Sequence, residues 1–546
     1  MLPKFVYLKA GKAADIPSRS GKFAYRILEI VPGLLSWATL VGIFIASRFT
    51  PVFASFFVIA FDIYWLFKTV FLSFHLRAGH RKMREHLATD WMAKLQTLDP
   101  TTFPAELKTE EWKDIYHLVI RPFYREPYEV IRTSFNSILA SSYPKDRMIL
   151  VLGVEERAGP EARAIAERIR REYGEKFFRI MVAVHPGDIP GELAGKGANE
   201  TWAARRAKEE LIDPLGIPSE RVIVSSLDID TVVLRDYFAI VTYHYLTAAK
   251  PLRSSFQPIP VYNNNIWDTP SFARVVAVSG TFWQTMQQAR PERLATFSSH
   301  SMPLRALQEQ DFWQTNIVSE DSRIFWSSLL LYDGDYRAVP LYYPVYLDAN
   351  VGPNAWQTAK NVYQQQRRWG WGVENVPYLL YGFLQNKSIP RRRKWYYAFN
   401  QLEGFWSWGT NAFIIFFLGW LPIWLGSNAF GSTLLAYNLP RFTRWIMTAS
   451  MLGIVTSAFI STRMLPPRPA GKPARMYLWM ILQWLLMPLT IIFFGSVPGL
   501  EAQTRLMFGR YMGFWVTPKF RNNTETQKEI KEKRDVFPAE KTTKVA

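Results

Sequence analysis

The sequence predicts an α/β domain set between two groups of membrane-spanning helices. Two observations predict it. Five stretches are long and apolar enough to cross a bilayer, and the charged interval between the second and third alternates β-rich runs with helix-like segments. Of the 546 residues, 49% are hydrophobic and 15% aromatic, a share that suits helix ends at membrane interfaces, where amphipathic rings concentrate.

A basic leader, residues 1–29, comes first; no small-residue cleavage pattern follows it, so no cleaved signal peptide is expected. Two spans, 30–47 and 51–74, occupy the region 30–75. The second holds Lys68 and Asp62. A carboxylate within a span usually faces the bundle or a wet cavity, so Asp62 is expected in an interhelical polar contact, with a path for acceptor or product as the alternative. Residues 76–394 are too polar for membrane and form the middle domain. Its β-rich runs at 115–120, 148–154, 179–184 and 222–227, separated by helix-like segments such as 161–173, predict a mostly parallel sheet with a ligand site at the carboxyl ends of the strands. His117, on the first run, is expected in the core. Three more stretches, 404–426, 445–462 and 476–500, fill 395–500. The last region, 501–546, combines an amphipathic or interfacial segment with a basic tail, expected to be disordered beyond about Asn522.

Lys and Arg in the short flanks set the orientation. Clusters in the leader, around Arg77 to Arg84, at Arg391 to Lys394 and around Arg463 to Arg475 share one side if the middle domain is cytoplasmic. The chain is therefore expected in the plasma membrane with its middle domain in the cytoplasm. Five spans leave the basic tail on the other side, so either the fifth stretch is re-entrant, a span is miscounted, or the tail is an exception. Topology accounts for most of the net charge of +19, which removes the main argument for a nucleic acid partner. The absence of cysteine excludes disulfides, thiolate metal sites and cysteine nucleophiles.

Three constellations carry chemistry. The strand-like run from Val222 ends in Asp228-Ile229-Asp230. In an extended backbone the two carboxylates point the same way and suit a hard cation, Mg²⁺ or Mn²⁺, shared with phosphates; the bland reading is an acidic turn. Glu320-Asp321 opens an aromatic-rich helical run and, alone, is more often a capping pair. Gln365-Gln366-Arg367-Arg368-Trp369 offers an arginine fork for a phosphate and an indole face for a sugar ring; the bland reading is an amphipathic helix at the membrane surface. The segment from Gly191 to Gly197 is not a phosphate-binding P-loop, because its spacing is one residue short and no Ser or Thr follows Lys196.

In order, Asp228-x-Asp230, Glu320-Asp321 and Gln365-x-x-Arg368-Trp369 resemble the family 2 glycosyltransferases, most closely the membrane-integrated cellulose, chitin and hyaluronan synthases. Pro122-Phe123-Tyr124-Arg125-Glu126-Pro127 is similar to their Pro-Thr-Tyr-Asn-Glu-Pro, with Phe123 and Arg125 departing from it. Lys196-Gly197-Ala198-Asn199 is similar to a Lys-x-Gly-x-Asn-type segment, and Ser279-Gly280-Thr281 to a turn near the acceptor. Phe514-Trp515-Val516-Thr517-Pro518-Lys519 resembles the Phe-x-Val-Thr-x-Lys loop of cellulose synthases. Where the family has an Asp that reads the base, this chain has Glu155-Glu156, with Glu155 the favoured substitute.

The resemblance implies a GT-A-type (nucleotide-diphospho-sugar transferase) domain and inverting transfer. Asp230 would hold Mg²⁺ or Mn²⁺ on the donor diphosphate, and Asp228 would contact the metal or the ribose. Asp321 would be the general base, Gln365 and Arg368 would hold the diphosphate, and Trp369 would floor the acceptor site. Tyr124, Glu126, Glu155 and Lys196 would contact the donor. The implied partners are a nucleotide sugar, expected to be a UDP-sugar, a glycan or lipid-linked acceptor, and the lipid bilayer. Processive synthesis of a polysaccharide coupled to its translocation is the expected activity, with transfer of one sugar to a lipid carrier as the alternative. A non-catalytic nucleotide-binding transporter or sensor is the rival from another class, and it needs no base at Asp321.

Overall fold

A computed structural model describes residues 7–519; the expected disorder of the tail lies outside the described residues. Two long helices open the chain, α1 (Arg19–Phe49) and α2 (Pro51–Leu87). Ser18 caps α1 by accepting from the Gly21 amide, which satisfies one of the free N–H groups of the first turn. The leader is built into the middle domain: Tyr7, Leu8, Ala10 and Ile16 are buried in one cluster with Trp313, Phe325 and Tyr378.

The middle domain rests on eight strands, β1 (Tyr116–Phe123), β2 (Met148–Glu155), β3 (Arg179–His185), β4 (Val222–Ser226), β5 (Val232–Val233), β6 (Ser254–Val261), β7 (Ser301–Pro303) and β8 (Arg337–Tyr346). They form one sheet in the order β3-β2-β1-β4-β7-β6-β8-β5. The first four strands are mutually parallel, and β2 is buried at every position, as an apolar run covered on both faces must be. Helices α3 (Tyr128–Leu139), α4 (Pro160–Tyr173) and α5 (Lys196–Ala207) lie between these strands in the chain. His117 is buried on β1 beside Thr242, 2.8 Å away, and burial lowers its pKa to about 3, so it is a neutral core residue.

The other half differs from the parallel expectation. Strand β7 runs antiparallel to β4 and β6, and β5 antiparallel to β8, while β6 and β8 are parallel. The sheet is therefore mixed. Because β1 is flanked by β2 on one side and β4 on the other, the connections diverge there and open a crevice beyond the carboxyl ends of the strands. Helices α6 (Ser271–Gln288), α7 (Glu320–Leu331) and α8 (Ala355–Gly370) complete its walls.

Among the described residues three helices are long and apolar enough to cross a membrane: α1, α2 and a C-terminal one, Met476–Met507. The pair α9 (Arg391–Phe416) and α10 (Leu418–Leu425), bent by 51°, passes the same test when its two helices are taken together, as a broken span or a re-entrant loop. The expected stretch 445–462 lies within α11 (Leu434–Met464), which packs along α2. Asp62 accepts from Thr443 of α11 at 2.9 Å, the interhelical contact anticipated for it. Lys68 pairs with Glu403 of α9 and donates to Ser407 at 2.7 Å.

The C-terminal helix, α12 (Met476–Met507), covers the fifth expected stretch and is long and apolar enough to cross a membrane. Near its start, Tyr477 packs on Trp267 with ring centroids 5.4 Å apart, and Gln483 accepts from Arg274 at 2.7 Å. Near its end, Glu501 accepts from Arg367 at 2.9 Å, and the Leu506 carbonyl accepts from Arg26 at 2.9 Å. Both ends touch the middle domain or the leader. Its ladder is interrupted by a 3-10 turn at Gln483–Leu486 and a π turn at Ile492–Ser496, the kind of break that lets a helix bend.

Candidate active site

One pocket at the carboxyl ends of β1, β2 and β4 gathers every site residue expected from the sequence. Tyr124 and Glu126 follow β1, Glu155 closes β2, and Asp228 and Asp230 follow β4. Lys196 comes from the first turn of α5, Asp321 from the first turn of α7, and Gln365, Arg368 and Trp369 from the end of α8.

Lys196 is the hub. Its Nζ lies 2.7 Å from Asp228 Oδ1 and donates to both oxygens of Asp321 at 2.8 and 2.9 Å. Glu200 and Glu320 stand 3.6 and 4.0 Å away. Burial works against the ammonium, but these four carboxylates outweigh it and hold the Lys196 pKa well above its usual value. Burial likewise opposes the Asp228 charge, yet Lys196 and Ser298 overcome it and hold that carboxyl below its usual range. Buried Glu200 moves the other way: desolvation outweighs Lys196 and holds its carboxyl above the usual range.

Asp230 has its own partner. Lys519 Nζ lies 2.7 Å from Asp230 Oδ2, which also accepts from the Asp348 amide at 2.9 Å. Asp230 Oδ1 is buried without a hydrogen-bond partner among the described residues. Burial exceeds the pull of Lys519 and holds this carboxyl above its usual value. The backbone here is not the extended one expected. The Thr231 amide donates to the Asp228 carbonyl at 2.8 Å, closing a turn, and both carboxylates nevertheless line the pocket.

At the end of β1, the Tyr124 ring meets both Arg125 and Arg157, each 4.9 Å from its centroid. Glu126 accepts from the amides of Tyr124 and Arg125 at 2.9 and 3.1 Å, so one oxygen is spent on its own loop. Glu155 lines the pocket, whereas Glu156 turns to Arg163 and the Gly187 amide. On the far side, Trp369 packs with Tyr262 and Phe297, at 6.3 and 5.9 Å between centroids. Arg368 lies over the Phe514 ring at 5.0 Å, and the segment Phe514 to Lys519 crosses the pocket wall. Ser279-Gly280-Thr281 is not a turn: it sits inside α6, where Gly280 faces Tyr262 and Trp369.

Two side chains went unseen in the sequence. Arg121 is fully buried on β1 and donates to the carbonyls of Ile229 and Thr231, at 2.8 and 3.1 Å, directly flanking Asp230. Glu374 accepts from the amides of Val318 and Ser319 at 3.1 and 2.8 Å and from the Trp371 indole at 2.8 Å, tying α8 to the start of α7. The glycines around Lys196 allow close approach. A Cβ on Gly195 would meet the Phe514 ring at 2.8 Å, and one on Gly197 would meet Glu320 at 2.9 Å.

Among the described residues no group of three or more His, Asp or Glu is arranged to hold a metal by protein ligands alone. Two hard oxygen donors at Asp228 and Asp230, with the buried Oδ1 of Asp230 unpartnered, fit an ion whose remaining ligands are phosphate oxygens and water.

No protein-family model and no curated protein matches the sequence. Among solved structures, the chain is similar to the mannosyltransferase PcManGT from Pyrobaculum calidifontis in complex with GDP-Man and Mn²⁺. Identity is 15% and the TM-score 0.41, over 83% of this chain and 100% of that one. It is also similar to TarS 1-349 from S. aureus in complex with UDP-GlcNAc, at 11% identity and a TM-score of 0.29, over 66% of this chain and 98% of that one.

Proposed function

We propose that this chain is a membrane-embedded inverting glycosyltransferase of the GT-A type. It would move a sugar from a nucleotide-sugar donor, most simply a UDP-sugar, to a growing polysaccharide that leaves through the membrane. The observation that carries the reading is the single ammonium of Lys196 joining Asp228, on the donor side, to Asp321, on the acceptor side. A carboxylate that can take a proton thus stands one cation away from the carboxylate that meets the nucleotide.

In this reading the donor diphosphate lies between the Asp228-Ile229-Asp230 turn and the end of α8, where Arg368 and Gln365 reach it. Mg²⁺ or Mn²⁺ held by Asp230 and Asp228 would supply positive charge for the departing diphosphate. Trp369, with Tyr262 and Phe297, seats the acceptor sugar. Asp321 takes the proton of the acceptor hydroxyl as that oxygen bonds to the anomeric carbon. The bond from that carbon to the diphosphate breaks, and the nucleoside diphosphate leaves with the electron pair. Asp321 must exchange part of its contact with Lys196 for the hydroxyl, and the freed ammonium then faces the diphosphate.

For the membrane, we propose four crossings, made by α1, α2, the bent pair α9–α10, and α11. The turn at Gly426 supports this count: Pro51 Cβ is 3.3 Å from where a Gly426 side chain would stand, so it shares the far end with the α1–α2 turn. An even count returns Lys519 to the pocket side and puts the basic clusters in the cytoplasm, as the positive-inside rule requires.

The test is to incubate membranes carrying the chain with a panel of labelled nucleotide sugars, with and without EDTA, and to size the products. Metal-dependent labelling of a long polymer is expected. A single added sugar on a lipid would favour the lipid-carrier reading, and no transfer from any donor would remove the assignment.

A further inference from the structure

A second groove lies outside the active site, between α1, α9 and the end of α12. Trp37, Phe413, Leu500 and Phe508 give it apolar walls, and Arg505, Arg510 and Glu501 line it too. Arg505 is 38% exposed. Arg510 is exposed, and among the described residues its guanidinium has no partner. The groove is continuous with the outward faces of α1, where Leu34, Val41 and Phe44 are exposed, an arrangement that a membrane-spanning helix presents to lipid. A trough with apolar walls and two arginines against one carboxylate, itself shared with Arg367, complements a molecule with a hydrocarbon chain and an anionic head.

We propose that this groove binds one anionic phospholipid, with its phosphate between Arg505 and Arg510 and an acyl chain along Trp37, Phe413 and Leu500. The inference rests on the membrane placement proposed above. It also connects the bilayer to the active site. Glu501, itself in the groove lining, accepts from Arg505 at 2.7 Å, and from Arg367 and Tyr363 of α8 at 2.9 and 2.6 Å. A phosphate competes with Glu501 for Arg505, so occupancy changes the contacts that hold α8, the helix carrying Gln365, Arg368 and Trp369.

The purified full chain, without donor, is titrated in detergent with phosphatidylglycerol or phosphatidylcholine, and bound lipid is counted by native mass spectrometry. Each arginine near the surface contributes about 5-fold, so a preference for the anionic lipid of about 25-fold is expected. Arg505→Gln with Arg510→Gln should erase the preference, whereas Arg505→Lys with Arg510→Lys, which keeps both charges, should retain most of it. Equal retention of the two lipids by the unaltered chain, or a preference untouched by the Gln pair, overturns the site. Hydrogen exchange over residues 355–370 should change on adding phosphatidylglycerol and not phosphatidylcholine; an unchanged rate overturns the link to α8. Because no sugar transfer is read, failure of the glycosyltransferase assignment leaves these results intact. A chain that retains neither lipid would remove the membrane placement together with this site.

Discussion

Asp321 has both carboxylate oxygens on one ammonium, and a general base is useful only if one of them can be released to a hydroxyl. Asp321→Asn keeps the shape and loses the proton acceptor. A positioned base is worth about 10²–10⁴-fold in rate, so transfer should fall by that order, while donor affinity measured by calorimetry stays nearly unchanged. Near-normal turnover would reduce Asp321 to a residue that favours the positive end of α7. Arg121 makes a different prediction. Burial lowers its pKa to about 10, so it remains charged at neutral pH beneath the Asp228–Asp230 turn. Arg121→Met should weaken Mn²⁺-dependent donor binding by about 10–100-fold, the usual cost of losing a group that orients metal ligands. Metal-independent nucleotide binding should change less; an equal loss of both would make Arg121 merely structural. The contrast between the two residues shows what was legible. Asp321 stands in a motif that marks it as a candidate, and the fold brings it into the pocket, whereas Arg121 reads as an ordinary polar position on a strand, and only the fold brings it under residues about 110 positions away.

At the scale of elements, the parallel half of the sheet was legible because its strands are unbroken apolar runs. The antiparallel half was not. Strands β5 and β7 have two and three residues, too few to show a period. Strands β6 and β8 carry Pro258, Pro260, Pro340 and Pro344, residues that argue against a central strand. The helix contacts were equally hidden, since they depend on single glycines. A Cβ on Gly79 of α2 would stand 2.4 Å from the Thr285 carbonyl oxygen of α6. Gly79→Ala should therefore force the two helices apart and destabilise the chain by about 1–3 kcal/mol, read as a lower midpoint in thermal unfolding of the detergent-solubilised protein. An unchanged midpoint would mean that α2 and α6 pack less closely than described.

Over the whole molecule, the basic clusters and the position of Lys519 agree only if both lie on one side of the membrane. The chain has no cysteine, so single introduced thiols report topology cleanly. Gly159→Cys, and separately Asn522→Cys, should both resist a membrane-impermeant thiol reagent in intact cells and react after permeabilisation. Labelling of Asn522→Cys from outside would restore an odd number of crossings. The way the pocket is walled has a further consequence, which concerns synthesis. Leader residues buried with Trp313 and Tyr378 are made before either of them, whereas the Lys519 that meets Asp230 emerges about 150 residues after Arg368. At roughly 5–20 residues per second, a ribosome needs about 8–30 s to pass from one to the other. During that interval the nascent chain has made the pocket's carboxylates and lacks one wall, so a chain stopped early leaves the pocket open where Phe514 to Lys519 would cross it.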